Sequence, residues 1–320
     1  MTGKGATYLS HLSTDTLHDV EIRNFQEADM PLLEGLFRSI TAREHAVFWW
    51  VGDQANWGNV FCAFRQGVMI AKGQVSIINI VPPGRPSEAY HSIYMNLKAV
   101  PEWEHDFELL DHLYELLYAR ALGLKATLPT EYSTLLCVGN DSEEQANNQF
   151  FKERHSFRHL NSLFSMNRDL GLPLSELTLP AGLEMKHWQM ATAQEEEDYL
   201  TLEAEIWPDT PLGSDRLAEY KRNDLWTALV VREGETIVGS LMVWREDDYA
   251  YIEDVFVREP WRKRGVAKYL LTQALLYSGS HGLSSARLMV LTTNPSALKL
   301  YESLGFTARQ EEIRFCLELE

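Results

Sequence analysis

Apolar and polar positions along this 320-residue chain repeat in two modes. Short apolar runs rich in β-branched and aromatic residues predict strands, and apolar residues three and four apart predict helices buried on one face. Three pairs of stretches show the same pattern in the same order. Glu21-Ile-Arg-Asn-Phe-Gln-Glu-Ala and Glu184-Met-Lys-His-Trp-Gln-Met-Ala each predict a short strand entering a helix. Phe64-Arg-Gln-Gly-Val-Met-Ile-Ala and Val231-Arg-Glu-Gly-Glu-Thr-Ile-Val each predict a hairpin turning at Gly67 or Gly234. Val100-Pro-Glu-Trp and Arg258-Glu-Pro-Trp each mark a strand end followed by an amphipathic helix.

The order strand, helix, hairpin, strand, helix, strand, helix therefore occurs twice. Between the copies, residues 171–182 hold two prolines and two glycines, which deny the segment a regular element. The expected organisation is a tail at 1–18, a first domain at 19–170, a linker at 171–181 and a second domain at 182–320.

The densest local chemistry is Trp261-Arg262-Lys263-Arg264-Gly265-Val266-Ala267-Lys268. It follows the predicted strand 249–257 and precedes a helix whose apolar face is Ala267, Leu270, Leu271, Ala274 and Leu275. Backbone N–H groups at a helix start are unpaired and point outward, and Gly265 with Ala267 lets an anion approach them. A solvated basic turn is the bland alternative. A second stretch, Asn294-Pro-Ser-Ala297-Leu-Lys-Leu-Tyr301-Glu-Ser-Leu-Gly305-Phe306, follows the strand predicted at 286–292. Asn294 suits an N-cap, Pro295 the first helical position and Gly305 the C′ position. Tyr301 then lies near the middle of a short helix, where a plain core tyrosine is the alternative.

Arg262, Gly265 and Ala267, followed by Asn294, Ala297, Tyr301, Gly305 and Phe306, resemble the two motifs of the GNAT superfamily of N-acetyltransferases. The resemblance covers the C-terminal half well and the N-terminal half faintly. It implies an α/β fold of two tandem GNAT-like domains, each a mixed central sheet flanked by helices. It further implies that the parallel strands at 250–257 and 286–292 splay and hold acetyl-CoA, the co-substrate. The amides of Phe256 and Val257 would take the pantetheine and thioester. Arg262, Lys263, Arg264, Gly265, Val266, Ala267 and Lys268 would take the pyrophosphate, and Asn294 would contact the cofactor.

Transfer of an acyl group to an amine needs a base, because a free alkylamine has a pKa of roughly 10.4, and it benefits from an acid at the departing thiolate. Tyr301 matches the family's general acid. For the base, Glu253 is favoured and Asp254 held in reserve. Strand alternation puts Tyr251, Glu253 and Val255 on one face and Ile252, Asp254 and Phe256 on the other, unless a bulge intervenes. Glu203, Glu205, Trp207, Asp209 and Asp215 lie where the acceptor side is expected and would suit a cationic amine, or else form a polar helix face.

The first copy reads as degenerate. Its loop Trp103-Glu104-His105-Asp106-Phe107 replaces the basic residues with acidic ones and the glycine with phenylalanine. Phe150 and Phe151 stand where the second motif carries a tyrosine. Phe48, Trp49, Trp50 and Trp57 are expected in a core, with the lining of a pocket as the alternative.

Composition narrows the partners. Apolar residues make up 45% and charged residues 23%, the profile of a soluble globular protein. A net charge of -17 argues against nucleic acid and against an anionic membrane. Three separated cysteines and ten scattered histidines offer neither a disulfide framework nor a metal motif, so no metal is expected. Nothing near Met1 resembles a signal peptide, and a cytoplasmic location is expected. The acceptor is then a small-molecule or peptide amine, and the protein a monomer or homodimer. A CoA-binding sensor without turnover and an acetyltransferase acting on a protein amine are the other readings.

Overall fold

The computed structural model describes residues 19–42, 46–208 and 211–320. The tail expected at 1–18, and Asp209, lie outside the described residues. The chain forms two compact units. Unit 1 contains β1 (Val20–Asn24), α1 (Met30–Thr41), β2 (Val60–Arg65), β3 (Val68–Asn79), β4 (Tyr90–Ala99), α2 (Phe107–Lys125), β5 (Ser133–Asp141) and α3 (Gln145–Gln149). Its strands run β1-β2-β3-β4-β5, antiparallel except for the parallel pair β4 and β5.

Unit 2 contains β6 (Arg158–Asp169, from Leu160 on), β7 (Glu184–Trp188), α4 (Ala193–Ile206), α5 (Ser214–Tyr220), β8 (Thr227–Glu233) and β9 (Thr236–Glu246). It continues with β10 (Tyr249–Val257), α6 (Val266–Ser280), β11 (Ser285–Leu291), α7 (Pro295–Glu302) and the first part of β12 (Thr307–Glu318). Its strands run β7-β8-β9-β10-β11-β6, and here too a single pair, β10 with β11, is parallel. A mixed sheet flanked by helices thus occurs in each unit, with the repeated element order expected from the hydrophobic pattern.

The division is not consecutive along the chain. Leu160–Asp169 belongs to unit 2, because β6 pairs with β11 from Asp169↔Ser285 to Leu163↔Leu291, and Phe315–Glu320 belongs to unit 1. Such long-range pairing has no linear signature, so composition alone points to 171–181 as the boundary. Residues 171–181 form no helix or strand. Buried Arg168 fastens the start of this segment by donating to the carbonyls of Asp169, Leu172 and Leu304.

In unit 2 the two sheet faces bury different helices. Leu270, Leu271, Ala274 and Leu275 of α6 pack with Ala250, Ile252, Ala286 and Leu288. Each such leucine contributes roughly 2 kcal/mol of burial. On the opposite face Tyr199, Leu202 and Leu217 of α4 and α5 pack with Ala228, Val230, Met242 and Phe256. Gly239 of β9 makes this arrangement tight: a Cβ there would come within 3.0 Å of the Phe256 carbonyl oxygen and 3.3 Å of the Val266 side chain. Its absence lets the first turn of α6 sit low on the sheet. Among the described residues no helix is long and apolar enough to cross a membrane.

Candidate active site

The site begins where a parallel pair fails to stay paired. β10 and β11 share only Tyr249↔Ser285, Ala250↔Ala286 and Tyr251↔Arg287, although the strands continue to Val257 and Leu291. The cause lies on the other side of β10. Its register against β9 jumps from Glu253↔Met242 to Phe256↔Ser240, which places one extra residue on β10. Asp254 takes a left-handed backbone, with φ 53°. A bulge of this kind bends its strand and breaks the alternation of side chains.

The bulge corrects the face assignment expected from strict alternation. Tyr251 and Phe256 both join the core under α4 and α5, while Val255 and Val257 pack with α6. Glu253 and Asp254 no longer oppose one another: Glu253 interacts with Tyr251, and Asp254 reaches Tyr199 of α4.

Beside the end of β10, beyond the point where it parts from β11, lies a cleft of about 570 Å³. Val255, Phe256 and Val257 line it from β10, Lys263 and Gly265 to Lys268 from the start of α6, and Asn294, Ala297 and Tyr301 from α7. Gly265 adopts the left-handed conformation, φ 83°, and Lys263 does so too, φ 63°. The first amide to bond back within the helix is that of Tyr269, to the Gly265 carbonyl, so the preceding amides are the orphan donors of a helix start. The Arg262 side chain turns back and donates from Nε to the Val257 carbonyl at 2.9 Å, which fixes the loop to the strand end. Arg264 is exposed and does not line the cleft. Asn294 also borders the cleft, but its carbonyl oxygen caps α7, accepting from the Ala297 amide at 3.1 Å and from the Ser296 hydroxyl at 2.8 Å.

Tyr301 is buried, packs edge-on against Phe306, and borders the cleft. Burial, with a smaller push from the charge of Glu253, raises its hydroxyl to about 12, so it stays protonated at neutral pH. Burial likewise raises Glu253 to about 7; neighbouring Asp254 adds to the shift, and Tyr251 and Arg216 oppose it. Asp254 is raised chiefly by burial. Its two oxygens are engaged, Oδ1 by the Trp207 indole N–H at 2.6 Å and Oδ2 by the Tyr199 hydroxyl. Glu203 also rises to about 7 through burial, against the Leu212 amide that donates to it at 2.9 Å. Glu205 instead makes an exposed ion pair with Arg258, and Asp215 is exposed at the start of α5.

Tyr199 escaped the sequence reading. It reads as an ordinary buried position of a helix, and nothing in the linear pattern ties it to a carboxylate 55 residues later.

Unit 1 builds the same opening and closes it. β4 and β5 pair from Tyr90↔Ser133 to Met95↔Val138 and then stop. Buried Lys98 donates to Asn140 at 2.9 Å and pairs with Glu144. Asn147 donates to the Leu97 carbonyl at 2.8 Å. The start of α2 carries its own anion: Asp106 accepts the Leu109 amide at 3.0 Å. What remains is a cavity of about 260 Å³ with Glu104, Glu143 and Glu144 on its wall. Of the aromatic group, Phe48 and Trp57 pack in a core, whereas Trp50 is 47% exposed.

A left-handed glycine opening a helix beside a splayed parallel pair is joined by similarity in sequence. The model of the acetyltransferase (GNAT) family matches residues 185–306. An acetyltransferase of Agrobacterium fabrum is 30% identical over 112 residues, covering 34% of this chain and 80% of that protein. The chain belongs to the GNAT acetyltransferase family. A mycothiol acetyltransferase of Thermobispora bispora is 30% identical over 160 residues, which is 46% of this chain; the chain thus spans about half of that relative, 54% of its length. In fold, a GCN5-related N-acetyltransferase of Sphaerobacter thermophilus superposes with a TM-score of 0.71 at 18% identity, covering 94% of this chain and 96% of that one. A tandem GNAT protein from the clavulanic acid biosynthesis pathway gives 0.64 at 13% identity, covering 93% and 98%. The tandem GNAT architecture accordingly extends over nearly the whole of this chain.

Proposed function

We propose that residues 182–320 act as an N-acyltransferase, moving an acetyl or other short acyl group from acyl-CoA to a primary amine by direct attack in a ternary complex. The observation that carries this reading is the cleft beside the end of β10, with orphan amides of α6 along one wall and Tyr301 of α7 on another. The amides from Gly265 to Lys268, with Lys263, suit a pyrophosphate, since anions are favoured at a helix start. Arg262 holds the loop, and Arg264 adds positive charge near it. The edge of β10 at Phe256 and Val257 offers backbone to the pantetheine, and Asn294 shapes the wall through its cap. Acetyl-CoA supplies an activated acyl thioester.

Glu253 is the better base. A carboxylate raised to about 7 is ionised in useful amount at neutral pH and still basic enough to take the amine's proton, directly or through a water. Asp254, engaged through both oxygens, holds the bulge in place. As the amine nitrogen bonds to the acyl carbon and the carbon–sulfur bond breaks, Glu253 receives one proton from nitrogen and Tyr301 delivers one to sulfur. The N-terminal copy, with its opening filled by its own side chains, is a scaffold without CoA.

Calorimetric titration with acetyl-CoA, paired with thiol release over a set of primary amines, tests this reading. One site per chain and amine-dependent turnover are expected, with Tyr301→Phe lowering kcat roughly 100-fold while acetyl-CoA affinity is kept. Binding without turnover of any amine would favour a sensor, and an unchanged rate in Tyr301→Phe with chemistry limiting would remove the acid role.

A further inference from the structure

Where β10 and β11 part after Tyr251↔Arg287, the two strand ends form lips of different chemistry. On β10 stand Glu253 and Asp254, with Glu203 of α4 electrostatically coupled to Asp254. On β11, burial alternates residue by residue: Ala286, Leu288 and Val290 are buried, while Arg287, Met289 and Leu291 face outward. Tyr251↔Arg287 is the last parallel pair, so Arg287 shares the face of Tyr251 and Glu253, and Met289 and Leu291 follow on that face beyond the point where the strands part. Met289 and Leu291 are 41% and 42% exposed, and Leu163 of β6 stands directly opposite Leu291 in the antiparallel register. Residues opposite one another in such a pair share a face. Three large apolar side chains therefore form one strip leading from the acidic lip. At the near end of that strip Arg287 lies over the Tyr249 ring, 3.8 Å from its centre.

Resting on the acyltransferase reading above, we propose that the acceptor is a primary monoamine whose nearest substituent is apolar. The ammonium is drawn to the carboxylates of the β10 lip, and the substituent lies on the strip formed by Met289, Leu291 and Leu163. An apolar strip returns nothing to a hydroxyl or a second charge that leaves water to reach it. The guanidinium of Arg287, on the same face, repels a second ammonium. Polyamines and small hydroxylated amines are thereby disfavoured at a site whose acidic lip would otherwise accept them.

The test compares 2-phenylethylamine, ethanolamine and 1,4-diaminobutane at saturating acetyl-CoA. Phenylethylamine is expected to exceed each of the others in kcat/KM by roughly tenfold or more, the scale of discrimination an apolar pocket supplies. The double variant Met289→Ser/Leu291→Ser removes apolar surface and adds no charge. It should erase most of that preference through KM, with acetyl-CoA affinity, measured by calorimetry, serving as the check on folding. Arg287→Gln should raise 1,4-diaminobutane relative to phenylethylamine. Preference for ethanolamine or the diamine, or a preference untouched in the double variant, would overturn the proposal while leaving N-acetylation standing. Failure to acetylate any amine despite bound acetyl-CoA would overturn both.

Discussion

The two repeats open the same parallel strand pair and part company over what fills the gap. In the C-terminal repeat the start of α6 is a left-handed glycine followed by amides without helical partners, and the space beyond it is a cleft of about 570 Å³. In the N-terminal repeat Asp106 supplies a carboxylate to the first turn of α2, and Lys98, Asn140, Glu144 and Asn147 knit the strand ends together over a cavity of about 260 Å³. A splayed strand pair leaves backbone polar groups that must find partners. Either a ligand can satisfy them or the chain can. Once buried side chains have taken that role they are costly to displace, because removing one member of a buried ion pair strands the other. The contrast separates a fold from its use: the same scaffold keeps an open cleft in one copy and is packed by its own side chains in the other.

Substitutions test that contrast. The largest effect is expected from Gly265→Glu, which strains a left-handed position and sets a negative charge at the helix start. Acetyl-CoA affinity should fall by roughly 1,000-fold with the circular dichroism unchanged, and retained affinity in calorimetry would remove the cradle. Next comes Glu253→Gln. In the wild type, kcat/KM should rise with pH about tenfold per unit and level off above roughly pH 7 as Glu253 ionises; the variant should lose roughly 100-fold at neutral pH and lose that slope. The same group carries a stability signature of opposite sense. The folded state holds the proton up to about 7, the unfolded state only to roughly 4.3. Glu253 therefore stabilises fully below that lower value, and its contribution is lost as pH rises through the window. Denaturant titrations from pH 4 to 8 should show a shallower decline in Glu253→Gln. The smallest effect on function belongs to Lys98→Met. It should destabilise the protein by about 3 kcal/mol, seen as a lower denaturant midpoint, yet leave one acetyl-CoA site per chain with unchanged affinity. A second site appearing in that variant would show that the N-terminal opening is only plugged.

Much of this molecule is legible in its residues. The doubled order of strands and helices, the basic glycine loop and the Asn294 cap follow from spacing and turn chemistry, all of it local. Tyr301, expected near the middle of its helix, instead sits in the last turn of α7, which ends at Glu302. The acidic loop around Asp106 also announces its difference from Arg262–Gly265 in plain sequence. Local rules fail first at Glu253 and Asp254. Alternation assigns them to opposite faces, and one extra residue in β10 brings both toward α4 and α5. The bulge has no glycine to mark it; Asp254, with its left-handed backbone, is bonded to Tyr199 of α4 and to Trp207 just beyond that helix.

The elements, their repetition and the chemical types gathered in each motif are written in the residues themselves, because helix periodicity, strand alternation and capping act over a few residues. Tertiary structure decided which carboxylate has both oxygens engaged, which strand β6 joins, and whether each opening remains a cleft or is filled by side chains. Those outcomes depend on burial and on partners far away along the chain: Tyr199 for Asp254, β11 for β6, Glu144 for Lys98. Desolvation, which lifts Glu253 toward neutrality, exists only once those partners have closed around it.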